Sequence, residues 1–432
     1  MNPPSSTGGG EGAGKARSFE ALRHPGCRAY LIGTMLAMMA DNIEHVICYW
    51  IIYQKFQSPA LAGFAVISHW APFLFFSVYA GALADRFDPR RIIQLGMVLF
   101  MVASAGWGYL FMTDSLEQWH AVVLLVIHGM AGVLWGPAAQ LIIHDIVGRT
   151  HLQSAIRMMS TARQMGLLMG PAVGAGFLLL MGPAWGILFN ALFYLPLTLW
   201  LVNAPYGPKF RDKEAAPPRP RAVRGFNDIF ATIKMIAGNP IIVSMTLLAG
   251  VASLIVGNAH QAQMPEFAHD LGHTNAGIHY SVLLTAGAAG ALASGVILES
   301  RNLLAANPRT AFILVMLWCL VIGVFAITDI YIVAVSAIFA AGFLHLAYGS
   351  MIQTLVQLHA PENIRGRVIG LYNMSAHGLR TFSGVTVGIG GSLIGIHWSL
   401  AISALALLTV TITMVSLTSW AAATKETGAG AE

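Results

Sequence analysis

From residue 28 to residue 420 the chain is a succession of apolar stretches separated by short polar breaks. Each is about 20 residues long, the length a helix needs to cross a hydrocarbon core of about 30 Å. Apolar residues make up 56% of the sequence and charged residues 10%, a balance that excludes an ordinary soluble domain. The pattern predicts an all-α membrane protein with twelve transmembrane helices, at 28–53, 59–84, 92–112, 118–144, 153–181, 184–202, 240–262, 278–299, 309–328, 330–358, 367–394 and 397–420.

The opening segment, "MNPPSSTGGGEGAGKARSFEALRHPG", is long and polar before the first apolar run, which argues against a cleaved secretory signal, and its Gly, Ser and Pro content predicts a disordered tail over 1–27. Cys27, Cys48 and Cys319 are odd in number and scattered, so they suggest neither a disulfide frame nor a thiolate metal site. Lys and Arg are retained on the cytoplasmic side of spanning helices. Of the 24 Lys and Arg, 21 fall in the two tails and alternate connections, Arg163 and Arg380 lie inside helices, and Lys55 stands alone on the opposite side. Both termini are therefore expected in the cytoplasm. This topology accounts for the sequence pI near 9.2 without a nucleic-acid partner.

The longest polar connection, "NAPYGPKFRDKEAAPPRPRAVRGFND" at 203–228, is rich in Pro and charge, as a linker between two bundles should be. It predicts a six-helix bundle over 28–202, a linker over 203–239, a second six-helix bundle over 240–420 and a tail over 421–432. An internal repeat supports the division. Gly81 and Asp85 recur as Gly295 and Glu299, and Gly170, Gly174 and Gly176 recur as Gly384, Gly388 and Gly390, all at an offset of 214 residues. Halves repeated along the membrane normal are a transporter architecture, with the cargo site near midplane between them.

In the loop after the second predicted helix, "GALADRFDPRR" at 81–91, Gly81, Asp85, Arg86, Arg90 and Arg91 fall on the signature of the major facilitator superfamily, which this chain resembles. The usual loop Gly is replaced by Asp88 followed by Pro89, so a fixed proline φ sets the turn. The resemblance implies that Asp85 is held against the N-terminus of the eleventh helix, near "NIRGRVIG" at 363–370, when the cytoplasmic side is shut, and that Arg90 or Arg91 pairs with Asp145. On the fifth predicted helix, "GLLMGPAVGAG" resembles the signature of proton-coupled exporters in the same superfamily: Gly166, Gly170, Pro171 and Gly174 match, and Ala175 departs from it. Four-residue Gly spacing leaves a smooth stripe for close helix approach. Longer segments, among them "LIGTMLAMM" and "HAPENIRGRVIGLYNMSAHGL", are similar to the enterobactin-exporter and macrolide-efflux branch of these exporters. That resemblance implies an exporter of the bacterial cytoplasmic (inner) membrane driven by the proton gradient.

The first helix carries Asp41, Glu44 and His45 within five positions. Asp41, Glu44, His45 and Cys48 stand at i, i+3, i+4 and i+7, so they share one face, which Thr34 and Met38 continue. At about 1.5 Å per residue from Arg28, Asp41 lies some 20 Å deep, near midplane. Facing lipid, an ionised Asp there would cost about 3 kcal/mol, so the face is expected to line a cavity. Two carboxylates one turn apart do not readily both ionise, which suits a proton carrier and lets a cationic cargo compete with the proton. A structural polar cluster is the alternative.

His69, His128 and His345 are candidates to face the cavity, against a packing role for each. Arg163 and Arg380 need anionic or carbonyl partners at their depth; Arg380 either meets an anionic cargo or ties helices together. No HExxH, phosphate-cradling GxxxxGK or nucleophile-base pattern appears, so the chain is expected not to be an enzyme, with no cofactor and no resident metal. The expected activity is proton-coupled export of a small amphipathic molecule, siderophore-like or drug-like, by a monomer whose partners are the cargo, protons and the lipid bilayer. Metal or metal-chelate export through Asp41, Glu44, His45 and an intramembrane His is an alternative, as is lysolipid transport.

Overall fold

The computed structural model describes residues 19–56, 59–210, 226–257, 264–271, 276–301, 303–383 and 390–429. Every regular element among them is helical. In chain order they are α1 (Pro25–Phe56), α2 (Pro59–Arg86), α3 (Pro89–Met112), α4 (Gln118–Val147), α5 (Leu152–Asn190), α6 (Leu195–Asn203), α7 (Phe226–Ile236), α8 (Pro240–Ile255), α9 (Met264–Asp270), α10 (Ala276–Ser300), α11 (Pro308–Ile327), α12 (Tyr331–His359), α13 (Arg365–Asn373), α14 (Arg380–Ser383), α15 (Gly390–Ile394) and α16 (Ile396–Ala429). Among the described residues, 9 segments are long and apolar enough to cross a membrane. Large apolar side chains such as Leu179, Leu180 and Tyr109 point outward, which a bilayer accommodates and water would not.

Several boundaries differ from the expected ones. Residues 19–27 are not tail: Glu20–Arg23 form a 3-10 turn, the amide of Ala21 donates to Ser154 Oγ at 3.2 Å, and α1 begins at Pro25. The fifth and sixth spans meet at Gly182, whose φ of 74° only glycine adopts readily, followed by Pro183; the sixth is then interrupted by a 3-10 turn at Ala191–Tyr194. The expected linker contains α7, which buries Ile229, Thr232 and Ile236. The last helix continues to Ala429, past the expected boundary at 420. The rest of the tail (1–18), the Pro-rich linker segment 211–225, and Gly384 and Gly388 of the repeat lie outside the described residues.

Three helices start on the same chemistry. Asp88, Asn239 and Asn307 cap α3, α8 and α11, each accepting an amide hydrogen bond from the first turn, and each is followed by Pro at the position where a helix needs no N–H.

The two halves meet at the end that carries the basic loops. Asp85, at the end of α2, accepts the amides of Gly366 (2.6 Å) and Arg367 (2.9 Å), two of the unpaired donors at the N-terminus of α13. The backbones touch here, since a Cβ on Gly81 or on Gly366 would overlap the other's carbonyl. The repeat places a second lock beside it. Glu299, at the end of α10, accepts from Ser154 Oγ in the first turn of α5 and lies 3.9 Å from Arg157, which also donates to the carbonyls of Leu298, Leu303 and Leu304. A layer of amides and imidazole completes the closure: Gln140 donates to Asn373 at 2.9 Å, Gln357 donates to Gln140 at 3.2 Å, and His144 meets Gln357 at 3.0 Å.

At the opposite end, Lys55 reaches Asp114 at 2.8 Å, and this hydrogen bond holds the Asp114 carboxyl below the usual carboxylate range. The loop arginines, of which Arg90 or Arg91 is expected to pair with Asp145, also make local contacts. Arg90 is held by Asp88, two residues away, through Nη2 at 2.6 Å and Nε at 3.0 Å, and by the carbonyl of Ala204 at 2.6 Å. The capping aspartate is fixed in place by α3 itself and offers both oxygens to a guanidinium within local reach. Arg91 donates to Gln94 at 2.9 Å, and Arg86 lies over the Phe87 ring.

Gly81→Ala is expected to wedge the basic end open. Overpacking costs about 1–3 kcal/mol, so a cysteine placed at Ser77 should label with a maleimide about tenfold faster or more in the Gly81→Ala background. Unchanged labelling would separate Gly81 from the closure.

Candidate functional site

The polar face of α1 is buried against α2, α3 and α4. Three close approaches put it there. On α5, a Cβ at Gly166 would come within 2.6 Å of the Met35 carbonyl and one at Gly170 within 2.5 Å of Asn42 Cβ, so the glycine stripe expected to smooth this helix seats it directly on the α1 backbone. Gly174 continues the contact opposite Ile43, and Pro171 lies between the two. Asn190 donates to the carbonyl of Ala40 at 2.9 Å, fixing α1 one residue before Asp41. On α4, Gly129 leaves no room for a side chain against the Ser68 carbonyl, which draws α4 onto α2 and places His128 near His69.

His128 is the centre of the cluster. Its Nε2 lies 2.9 Å from Asp41 Oδ1 and its Nδ1 lies 2.9 Å from Glu44 Oε1, so one imidazole bridges both carboxylates. Glu44 also accepts the Ser104 hydroxyl from α3 at 2.6 Å. Asp41 and Glu44 are 6% and 2% exposed and His128 3%, so the bridge is sealed from bulk water. His45 Nδ1 stands 4.0 Å from Asp41 Oδ2, and the His45 ring lies 4.8 Å from His69 and 5.0 Å from His128. Phe100 sets its edge against His128 at 4.8 Å.

The hydrogen bonds fix a proton count. Ionised carboxylates only accept, so two carboxylate contacts to one imidazole require two protons between them. Either the ring carries both, or the ring carries one and a carboxyl carries the other. Both arrangements leave one net negative charge on the trio, and they differ only by moving one proton along a 2.9 Å bond. The trio is thus an acid–imidazole–acid bridge that holds two protons.

One ligand atom each from Asp41, His45, His69 and His128 falls within 4.8 Å of the others, a donor set of nitrogen and oxygen that suits a divalent transition metal. Among the described residues His45 Nε2 and His69 Nδ1 are buried without a hydrogen-bond partner.

Of the sequence-predicted cavity residues, Asp41, Glu44, His45, His69 and His128 come together; His345 does not. It lies in the other half, 3.0 Å from the Tyr348 hydroxyl and beside Trp318. Nor, among the described residues, do the intramembrane arginines form an ion pair or hydrogen bond with the anionic or carbonyl partners expected at their depth. Arg163 lies over Trp135 at 5.6 Å, and Arg380 crosses to the other half to lie over Trp70 at 5.2 Å. Sequence reasoning missed Ser104, and it missed the amide layer of Gln140, Gln357 and Asn373, because single neutral polar residues in apolar helices carry no spacing signal.

A helical bundle in two halves, latched at one end and holding a buried acid–imidazole cluster, is the build of a membrane transporter. The model of the Major Facilitator Superfamily matches residues 30–384, and the chain belongs to that family. Among curated proteins it is similar to the enterobactin exporter EntS of Salmonella typhi, 25% identical over 360 residues covering 81% of each chain. EntS of Shigella boydii serotype 4 is 23% identical over 357 residues, again 81% of each. Among solved structures it resembles the human organic anion transporter MFSD10, with a TM-score of 0.71 at 13% identity over 91% of this chain and 99% of that one. The E. coli fucose:proton symporter FucP gives a TM-score of 0.70 at 12% identity over 93% and 99%. At such identities the structural likeness is one of fold. The chain is a multi-pass membrane transporter.

His128→Ala should leave Asp41 and Glu44 facing each other without the bridging ring. Breaking a buried pair costs about 3–5 kcal/mol, so the purified variant is expected to unfold several degrees lower than the parent. Adding Asp41→Asn should recover part of the loss, because the remaining carboxylate is then alone. Additive losses in the double variant would show that the ring does not bridge them.

Proposed function

We propose that the chain is a proton-coupled exporter of a small amphipathic molecule, siderophore-like or drug-like, working by alternating access as a monomer in a bacterial cytoplasmic membrane. The observation that carries this reading is the Asp41–His128–Glu44 bridge. A proton added to the trio neutralises it and a proton removed leaves two negative charges, so its protonation state changes the electrostatics of the bundle interior by whole charges. That is what coupling a proton to a conformational cycle requires.

Topology supports the direction. With 21 of 24 Lys and Arg in the tails and alternate connections, both termini and the latched end are assigned to the cytoplasm, and the twelve spans fall into six-helix halves at 28–202 and 240–420. Asp85 then serves as the cytoplasmic gate, its two amide contacts forming when that side shuts and parting when it opens. The relatives named enterobactin exporters make a siderophore-like cargo the first to test.

A second reading is favoured by one observation, the convergence of Asp41, His45, His69 and His128 within 4.8 Å: export of a divalent metal or its chelate. Tight binding of Zn²⁺ or Co²⁺ to the purified protein, lost in His69→Ala, would support it over the first.

Asp41→Asn mimics the protonated carboxyl while removing a charge. In inside-out vesicles with an acid lumen, parent protein should accumulate enterobactin, and Asp41→Asn should lose most of the pH-driven component, by about tenfold or more, while still exchanging cargo across the membrane. Undiminished accumulation by the variant at matched expression would move the coupled proton elsewhere.

A further inference from the structure

Arg163 on α5 and Arg380 on α14 approach from opposite halves, and neither has a counter-ion. Counting about 1.5 Å per residue from the starts of α5 and α13, they lie about 16 Å and about 22 Å from the latched end, inside the apolar core. Among the described residues neither guanidinium donates a hydrogen bond or forms an ion pair, and the buried Nε of Arg380 has no partner. Each offers five N–H donors and cannot shed its charge. The two lie within electrostatic reach of each other.

The surroundings do not supply the missing anion. The ionisable groups acting on Arg380 are Tyr348, Tyr372 and Arg163; those acting on Arg163 are Tyr30, Asp41 and Tyr372. Asp41 belongs to the His128 bridge and lies outside ion-pair distance of Arg163. His377, whose buried Nδ1 also lacks a partner, is flanked by both arginines, His69 and His345. Two fixed positive charges and an unpaired imidazole nitrogen therefore converge on one region with unused donors.

Its walls are aromatic. Trp70 stacks on His377 with centroids 6.1 Å apart and planes at 25°, Phe73 sets its ring against His377 at 5.5 Å, and Trp135 and Trp70 carry the two guanidiniums on their faces. Local backbone geometry creates the position. Between α13 and α14 the chain forms a single π-helical turn, Met374–Gly378, which places His377 within it and Arg380 directly after it, toward the other half; such turns recur at functional sites.

We propose that Arg163, Arg380 and His377 form a binding site for an organic anion that carries an aromatic ring, its acidic group held by the guanidiniums and its ring laid beside Trp70. The proposal rests on the transport reading and deepens it, naming the charge and shape of the cargo. Guanidiniums grip carboxylates through paired N–H donors, and a ring packed on an aromatic wall excludes water from that contact. Because the arginines belong to different halves, such a ligand bridges the moving parts.

The test is equilibrium binding to the purified full chain in nanodiscs, with 1-naphthoate as the probe and 1-naphthylmethylamine as a cation of the same shape. Naphthoate should bind saturably, and the amine about tenfold more weakly or less tightly still. Arg163→Gln and Arg380→Gln should each weaken naphthoate about tenfold or more, Arg380→Lys should fall between parent and Gln, and the unliganded Gln variants should unfold no lower than the parent, since each removes an uncompensated buried charge. Equal binding of acid and amine, or naphthoate binding indifferent to both arginines, overturns the proposal. Binding of cyclohexanecarboxylate or chloride as tight as naphthoate overturns its aromatic part. Arginine-dependent binding with undiminished pH-driven transport in Asp41→Asn fails the coupling reading alone, whereas lost coupling in Asp41→Asn with no naphthoate binding fails the anion site alone.

Discussion

Taking ionised groups out of water is the constraint on which the rest of this structure depends. A carboxylate or guanidinium at membrane depth has no solvent to neutralise it, so each must be bridged, stacked or left with a function. Asp41 and Glu44 are bridged by His128, with Ser104 closing a remaining acceptor. To bring that imidazole between two side chains of α1, α4 must pack tightly, and α1 must be held in register. The glycines at 129, 166 and 170 do both by removing side chains where backbones meet. Small residues on α4 and α5 thus serve the chemistry of α1.

The two halves use one device twice. Asp85 closes on the N-terminus of α13, and Glu299, its repeat mate, closes on the first turn of α5 through Ser154. In each case an acid at the end of one helix meets the positive end of a helix in the other half. The second lock adds Arg157, a fixed charge that reaches the α10 terminus through carbonyls as well as through Glu299. The halves are therefore related in how they shut and not in detail. The His128-bridged carboxylates belong to the first half, whereas the second presents His377 and Arg380 to it.

Much of this was legible in the sequence, and the reasons differ by feature. Helices were legible because apolar length is a one-dimensional signal. The shared face of Asp41, Glu44 and His45 was legible because helical spacing fixes which residues are neighbours. The contact of Asp85 with the N-terminus of α13 was implied by the family resemblance that its loop carries and not by spacing alone. His128 was visible only as one isolated histidine among several, since a ring that packs and a ring that bridges look alike in an apolar helix and its partners lie 84 and 87 residues away. The hold of Asp88 on Arg90 was not read from the sequence for a related reason: a helix-capping aspartate two residues away is positioned by local geometry, which spacing alone does not show. The arginines were expected to have acidic or carbonyl partners, and Trp70 and Trp135 stand there instead.

That substitution of aromatic faces for carboxylates sets the charge of the interior. The His128 trio carries one net negative charge and the two arginines carry two positive ones, so together they hold one net positive charge. Occupied by a monoanion, the same groups sum to neutral, and a neutral centre is the form that closes away from water at least cost.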